Sequence, residues 1–199
     1  RLVKTAFVGG AAVNIDRSSL IDLFDIPVFD SGDSIEESKK KRIISWNDDK
    51  RRKFIDRYPL DKVPSIIVDE ISTVKPYMLA YLNARLMDLY PDSGKLFGGR
   101  AVVLLGDFDQ LPPVGGNSLA GGAMKHEEAV CKKEVSSADD DEDNEAFLSG
   151  HLDSKKGVDL KTTGVLIFER AKFIKLTEQH RSKDPEHTAL LQKMSSEGR

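Results

Sequence analysis

Two apolar runs, each ending on an acid, constrain this fold more than any other feature of the chain. One is Ser65-Ile66-Ile67-Val68-Asp69-Glu70. The other is Ala101-Val102-Val103-Leu104-Leu105-Gly106-Asp107, continuing as Phe108-Asp109-Gln110-Leu111-Pro112-Pro113. Continuous runs rich in Val and Ile read as strands covered on both faces, as in a parallel sheet. In open α/β sheets, ligands gather at the carboxyl ends of such strands. Here those ends carry Asp-Glu and Gly-Asp-x-x-Gln. A magnesium nucleotide requires a carboxylate to hold the metal, a second to orient water, and a polar group that senses the terminal phosphate. Asp69, Glu70 and Gln110 are candidates for these three tasks. No Gly-x-x-x-x-Gly-Lys-Ser/Thr phosphate loop occurs in the sequence.

The length of 199 residues fits one sizeable α/β domain. Hydrophobic content of 39% against 32% charged residues fits a soluble globular chain. No apolar run approaches the roughly 20 residues of a membrane helix, so no membrane partner is expected. A net charge of -3 does not advertise a nucleic-acid binder. Charge is nonetheless blocked: Lys39-Lys40-Lys41-Arg42 and Lys50-Arg51-Arg52-Lys53 are basic, and Asp139 to Asp143 acidic. The lone Cys131 allows no internal disulfide and fits a reducing, intracellular compartment. The chain opens at Arg1 and runs straight into a strand-like Leu2-Val3, so it is expected to be a piece of a longer protein.

Leu2 to Ala6 reads as a short strand. Ser18-Ser19 precedes a helix through Leu20, Leu23 and Phe24 that ends before Pro27. Residues 30–36 read as loop. Ile35 to Tyr58 reads as two short helices broken near Trp46-Asn47-Asp48-Asp49. Pro76 to Leu89 reads as an amphipathic helix, with Met78, Leu79, Leu82, Leu86 and Leu89 at helical spacing and Pro76 in its first turn. Pro91 to Gly99 is turn-rich, and Gly115 to Gly122 reads as a glycine-rich loop. Residues 132–157 form an acidic insertion with few large apolar residues, expected to be disordered. Val165 to Phe168 resumes order, Phe173 to Leu176 reads as a strand, and a final helix runs from Pro185 through Met194.

Each chemical reading has a bland counterpart. Asp69-Glu70 after a strand is a Walker B pattern, yet Asp beside a helix start also serves as an N-cap. Gln110 can donate and accept at once, which suits reading a phosphate oxygen and an attacking water together. The same segment also reads as a Pro-rich connector with an Asx turn at Asp107. Gly106 permits a tight exit from the strand. The basic block at 39–53 can track phosphates or form a solvated helix face. Trp46 can stack on a base or pin helices together.

The order of these blocks resembles the PIF-type (petite integration frequency) ATP-dependent DNA helicases of superfamily 1B. The resemblance rests on Ile67-Val68-Asp69-Glu70-Ile71-Ser72, Phe97-Gly98-Gly99 and the run from Gly106 to Val114. Thr5-Ala6-Phe7-Val8-Gly9-Gly10-Ala11-Ala12 is similar to the family's motif Ia. Phe168 with Leu176-Thr177-Glu178-Gln179-His180-Arg181 is similar to its motif IV region. The resemblance implies a RecA-like P-loop NTPase-type parallel sheet flanked by helices, present as a partial domain. It would span most of motor domain 1A over residues 1–199, with variable insertions at 30–60 and 132–157. It implies Asp69 as the Mg²⁺-holding acid, Glu70 as catalytic base, Gln110 as the group coupling the terminal phosphate to DNA movement, and Arg181 as the arginine reaching the γ-phosphate. It further implies single-stranded DNA contacts at Thr5, Phe7, Gly9, Gly10 and Ser19. Implied partners are ATP, single-stranded and duplex DNA, and the rest of the helicase chain: a phosphate loop upstream and a second motor domain downstream. Implied roles are DNA repair, recombination and telomere maintenance, in a nucleus or mitochondrion if the source is eukaryotic.

Four positions depart from the family pattern. Val8 stands where motif Ia commonly has Thr, Ile21 where a His is expected, Asp109 where an apolar or aromatic residue is usual, and Thr73 where Met is. They leave open a competing reading, a degenerate non-catalytic domain that binds DNA or a protein partner.

Overall fold

The computed structural model describes residues 2–6, 19–28, 46–59, 65–115, 118–121 and 160–176, with residues 178, 189 and 193. Three strands form one parallel sheet: β1 (Leu2–Ala6), β2 (Ser65–Asp69) and β3 (Ala101–Leu104), in the order β1-β2-β3. Parallel neighbours require crossovers, and helices supply them. α1 (Leu20–Phe24) and α2 (Asp48–Arg57) lie between β1 and β2 in the chain, α3 (Pro76–Leu89) between β2 and β3, and α4 (Leu160–Glu169) follows. No helix among the described residues is long and apolar enough to cross a membrane.

The local chemistry explains each boundary. Ser19 caps α1: its hydroxyl accepts the Asp22 N–H at 3.1 Å and donates to Asp22 Oδ2 at 2.6 Å. Asn47 Oδ1 caps α2 by accepting the Asp49 and Lys50 amides. Pro76 opens α3, where its missing N–H costs nothing.

α3 is not the half-exposed amphipathic helix its spacing predicts. Tyr77 through Leu86 are buried without a break, including Asn83 and Arg85. The helix is central because its neighbours cover it: α4 packs along it where Gly164 meets the Pro76 backbone, the turn at Leu96–Gly99 packs on its end, and its apolar side chains share one core with Val3, Ile66 and Val68 of the sheet. The two buried polar side chains are satisfied, as burial demands. Asn83 Oδ1 accepts the Phe97 N–H at 2.6 Å. Arg85 donates to the Phe24 and Asp25 carbonyls at 3.1 and 3.0 Å and lies over the Trp46 and Tyr81 rings.

Around Arg85 the chain is fastened. Asp25, the left-handed residue ending α1, accepts the Asn47 N–H at 2.9 Å and pairs with Lys50 at 2.8 Å. Partial burial pushes the Asp25 carboxyl up. Lys50, the Asn47 amide and the nearby Arg85 more than offset this, and hold it below the usual carboxylate range. Phe24, Trp46, Phe54 and Tyr58 pack edge-on or tilted, with centroids 5.2–6.1 Å apart. Trp46 is buried between Phe24 of α1 and Phe54 of α2, while the first of the two helices it is expected to pin lies outside the described residues.

Three further expectations need correction. Among the described residues β3 is not covered on both faces: Val102 and Leu104 pack against the core, while Val103 is 44% and Leu105 42% exposed, because nothing described packs over their face. Phe173 to Leu176 is not a strand. Its apolar side chains are exposed and no strand among the described residues pairs with it, and an apolar run without a partner ladder is only a segment. The glycine-rich loop contains a helical turn at 119–121, where the Ser118 hydroxyl accepts the Gly121 N–H at 3.0 Å and Leu119 is fully buried. The loop at 30–36, the first helix of the 30–60 insertion and the acidic insertion lie outside the described residues, as does most of the final helix.

Candidate nucleotide site

Register brings the strand ends level. Thr5 pairs with Val68, Ala6 with Asp69, and Val68 in turn with Leu104. The carboxyl ends of all three strands therefore share one edge, the edge at which a parallel sheet offers a ligand site.

At that edge β2 ends abruptly. Asp69 is half-buried, and its Oδ1 accepts the Glu70 N–H at 2.9 Å. This is a cap on its own neighbour, not on a following α-helix. Glu70 then turns into the left-handed region, at φ 57° and ψ 45°. A residue with a Cβ adopts that backbone at a cost of roughly 1–2 kcal/mol. The surroundings enforce it. The Glu70 carbonyl accepts the Thr73 N–H at 3.1 Å and the Thr73 hydroxyl at 2.8 Å. The next amide, Ile71 N–H, donates to Leu105 O at 2.9 Å, while Leu105 N–H donates to Val68 O at 2.8 Å. The short helical turn Ile71–Thr73 makes no side-chain cap with Glu70, so that carboxylate is not consumed by the local fold.

Those ladder bonds bind the second motif to the first. Leu105 continues β3 alongside β2, and Gly106 follows at φ 155° against the Glu70–Ile71 peptide. From there the chain turns outward. Asp107 Oδ1 accepts the Asp109 N–H at 2.9 Å, an Asx turn, and Gln110 N–H donates to Asp107 O at 3.2 Å. Gln110 is exposed on this turn. Phe108 anchors the loop by meeting Phe168 of α4 edge-on at 5.7 Å, and Pro113 is buried beyond it. The connector reading and the functional one thus share a geometry: the Asx turn is the device that presents Gln110.

Not every expected contact is available. Thr5 is fully buried in β1, so its side chain packs within the fold. Ser19 is spent on capping α1 and is 9% exposed. Phe7, Gly9, Gly10 and Arg181 lie outside the described residues. Part of the basic block is committed to ion pairs: Lys50 with Asp25, and Arg51 Nε with Asp88 at 3.3 Å, a contact too poorly aligned to count as a hydrogen bond. Gly106 is a residue whose bearing on Glu70 only the strand register reveals, whereas Thr73 reaches the Glu70 carbonyl locally, from three residues along the turn.

Among the described residues no group of three or more His, Cys, Asp or Glu stands together. The site therefore offers a cation the Asp69 carboxylate, one of whose oxygens is already bonded to Glu70. Such a donor set fits Mg²⁺ held mainly by nucleotide phosphates and water, and does not fit an all-protein cage.

Comparison with known proteins places this arrangement. A family model described as PIF1-like helicase matches residues 2–125. The ATP-dependent DNA helicase Pif1 of Bdellovibrio bacteriovorus is 33% identical over 112 residues, covering 55% of this chain and 22% of that protein. The crystal structure of Bacteroides Pif1 bound to ssDNA superposes with a TM-score of 0.55 at 26% identity, covering 97% of this chain and 36% of that one. Pif1 helicase from Bacteroides in complex with ADP-AlF3 and ssDNA gives 0.54 at 25% identity, with the same two coverages. The chain thus spans well under half the length of the relatives it matches. Its parallel sheet with flanking helices is the RecA-like arrangement of those helicase domains.

Proposed function

The chain belongs to the PIF1-like helicase family, and from that premise we propose that it forms part of motor domain 1A of an ATP-dependent DNA helicase. The whole protein would couple ATP hydrolysis to movement along single-stranded DNA and to duplex unwinding. The observation that carries this reading is the joint at the sheet edge: two acids, a left-handed backbone at the second, and the Gln110 turn, tied by the Leu105 ladder bonds.

The roles follow from what each side chain has free. Asp69 would hold the Mg²⁺ of a bound nucleotide through water, the ion supplying positive charge to the terminal phosphate. Glu70, whose carboxylate caps nothing, would accept a proton from the attacking water. Gln110, exposed on a loop fixed at both ends, would report the phosphate's presence to the rest of the motor. Arg181 would supply the cation that steadies charge developing at the γ-phosphate. A phosphate loop and a second motor domain from the rest of the parent chain would complete the site. Repair, recombination and telomere maintenance, in a nucleus or mitochondrion if the parent is eukaryotic, belong to the same proposal and rest on resemblance.

A second reading, a non-catalytic helicase-derived domain that binds DNA or a protein partner, draws support from one observation. Two of the residues expected at DNA, Thr5 and Ser19, are structural. One experiment separates the two: ATP turnover of the complete parent protein, with and without single-stranded DNA. DNA-stimulated turnover that is lost in Glu70→Gln while nucleotide still binds is the expected result. Absence of turnover in a folded parent with an intact phosphate loop would favour the non-catalytic domain, and turnover retained in Glu70→Gln would refute the base assignment.

A further inference from the structure

We infer that Gly106 is a positioning residue for Glu70, joining the Gln110 loop closely to the catalytic base. The inference rests on the reading of Glu70 as base.

Glu70 holds a left-handed backbone, and its carbonyl is already held by two donors from Thr73. The remaining constraint comes from the other motif, through the Ile71 N–H bond to Leu105 O at 2.9 Å. Gly106 directly follows that carbonyl. A Cβ at Gly106 would lie 2.8 Å from Ile71 N, 3.0 Å from Ile71 Cγ2 and 3.5 Å from the Glu70 carbonyl carbon. The first of these is backbone and cannot swing aside. Any side chain at Gly106 must therefore push the Glu70–Ile71 peptide away or break the ladder bond that holds it. Conversely, Gly106 opens the Asx turn that carries Gln110 only four residues on. Displacement of Gln110 by phosphate or DNA thus has a short route to Glu70: along the Asp107–Asp109 turn to Gly106, and from the adjoining Leu105 carbonyl through one hydrogen bond to Ile71 N–H.

The test uses the complete parent protein and compares wild type, Gly106→Ala, Thr73→Val and Glu70→Gln. Misplacing a reacting group by about an ångström costs on the order of 100-fold in rate, so Gly106→Ala is expected to lower kcat steeply. KM for ATP and affinity for single-stranded DNA should stay near wild type, and stimulation of turnover by DNA should be lost. Thr73→Val removes only the hydroxyl bond to the Glu70 carbonyl. It should lower kcat by a smaller factor with the same unchanged KM, and it decides the matter if Gly106→Ala does not fold. A Gly106→Ala enzyme with wild-type kcat, or one losing kcat, nucleotide binding and DNA binding together, overturns the inference. So does a Thr73→Val enzyme with unaltered kcat where Gly106→Ala is unfolded. Glu70→Gln separates the two levels. Turnover retained there refutes the base reading itself, whereas an inactive Glu70→Gln beside a fully active Gly106→Ala refutes only the positioning role.

Discussion

Replacing Glu70 by glycine should make this chain more stable while removing the group proposed to perform its chemistry. At φ 57° and ψ 45° the residue sits where a Cβ crowds the following carbonyl, at roughly 1–2 kcal/mol. Glycine escapes that cost but brings extra freedom to the unfolded chain, which subtracts about 0.5–1 kcal/mol. The Glu70 side chain is half-buried and caps nothing, so its deletion loses little else. The net gain is about 0.5–1 kcal/mol, or an upward shift in Tm of a few degrees, at about 2–4 °C per kcal/mol for a chain of this size. Alanine is the control, because it deletes the carboxylate yet keeps the Cβ and the strain. The glycine variant should therefore exceed the alanine variant by about 1 kcal/mol, with asparagine, which tolerates the left-handed region, close to glycine. Urea and thermal unfolding of the three variants measure the differences directly. An alanine variant as stable as the glycine variant would refute strain at Glu70. The parent proteins carrying these changes should all lack turnover, the pattern of a site kept at the expense of stability.

Two more outcomes are expected. Gly164→Ala, inside α4, should reverse the ordinary benefit of alanine in a helix: its Cβ would meet the Pro76 carbonyl and lie 2.9 Å from Pro76 Cα, costing about 1–3 kcal/mol as α3 and α4 separate. A gain in Tm for that variant would show that the crossing can relax. Asp25→Asn keeps a residue suited to φ 50° but loses the Lys50 pair. The Asp25 carboxyl titrates below its unfolded value, so its stabilisation is full above roughly pH 4 and is lost as pH falls through the lowered folded value. The Tm deficit of Asp25→Asn should thus shrink between neutral pH and pH 3; a constant deficit would remove Asp25 from the acid response.

The sequence is legible where local chemistry decides. Pro76 and the apolar spacing after it mark α3 to the residue, Ser19 marks α1, and the two acid-ended runs mark β2 and β3. It is opaque where a partner decides. An apolar run says that a strand is possible, not that both faces are covered, so the exposure of Val103 and the unpaired Phe173 segment escape it. Arg85 in a helical pattern reads as a solvent face until the Phe24 and Asp25 carbonyls appear beside it, sixty residues away in the chain. Gly164 argues locally against a helix, and its reason for being there is Pro76. At the site, Asp69, Glu70 and Gln110 can be singled out from their motifs, but the adjacency of the two motifs is a matter of register: Leu105 beyond Val68, Gly106 beside Ile71.

The clasp between Asp25 and Asn47 has a consequence for how such a chain can be altered. Two residues separated by 22 positions are hydrogen-bonded at the mouth of an excursion, with Arg85 behind one of them and the Phe24, Trp46 and Phe54 rings behind the other. The residues just inside the clasp on either side, Ile26 and Trp46, are buried in the core and hold the two ends of the excursion to the domain. Doubling the length of such an excursion costs only about 0.6 kcal/mol in closure entropy. Added length inside the clasp is therefore cheap in closure entropy alone, and what the fold requires of any such change is that Asp25, Ile26, Trp46 and Asn47 keep their contacts.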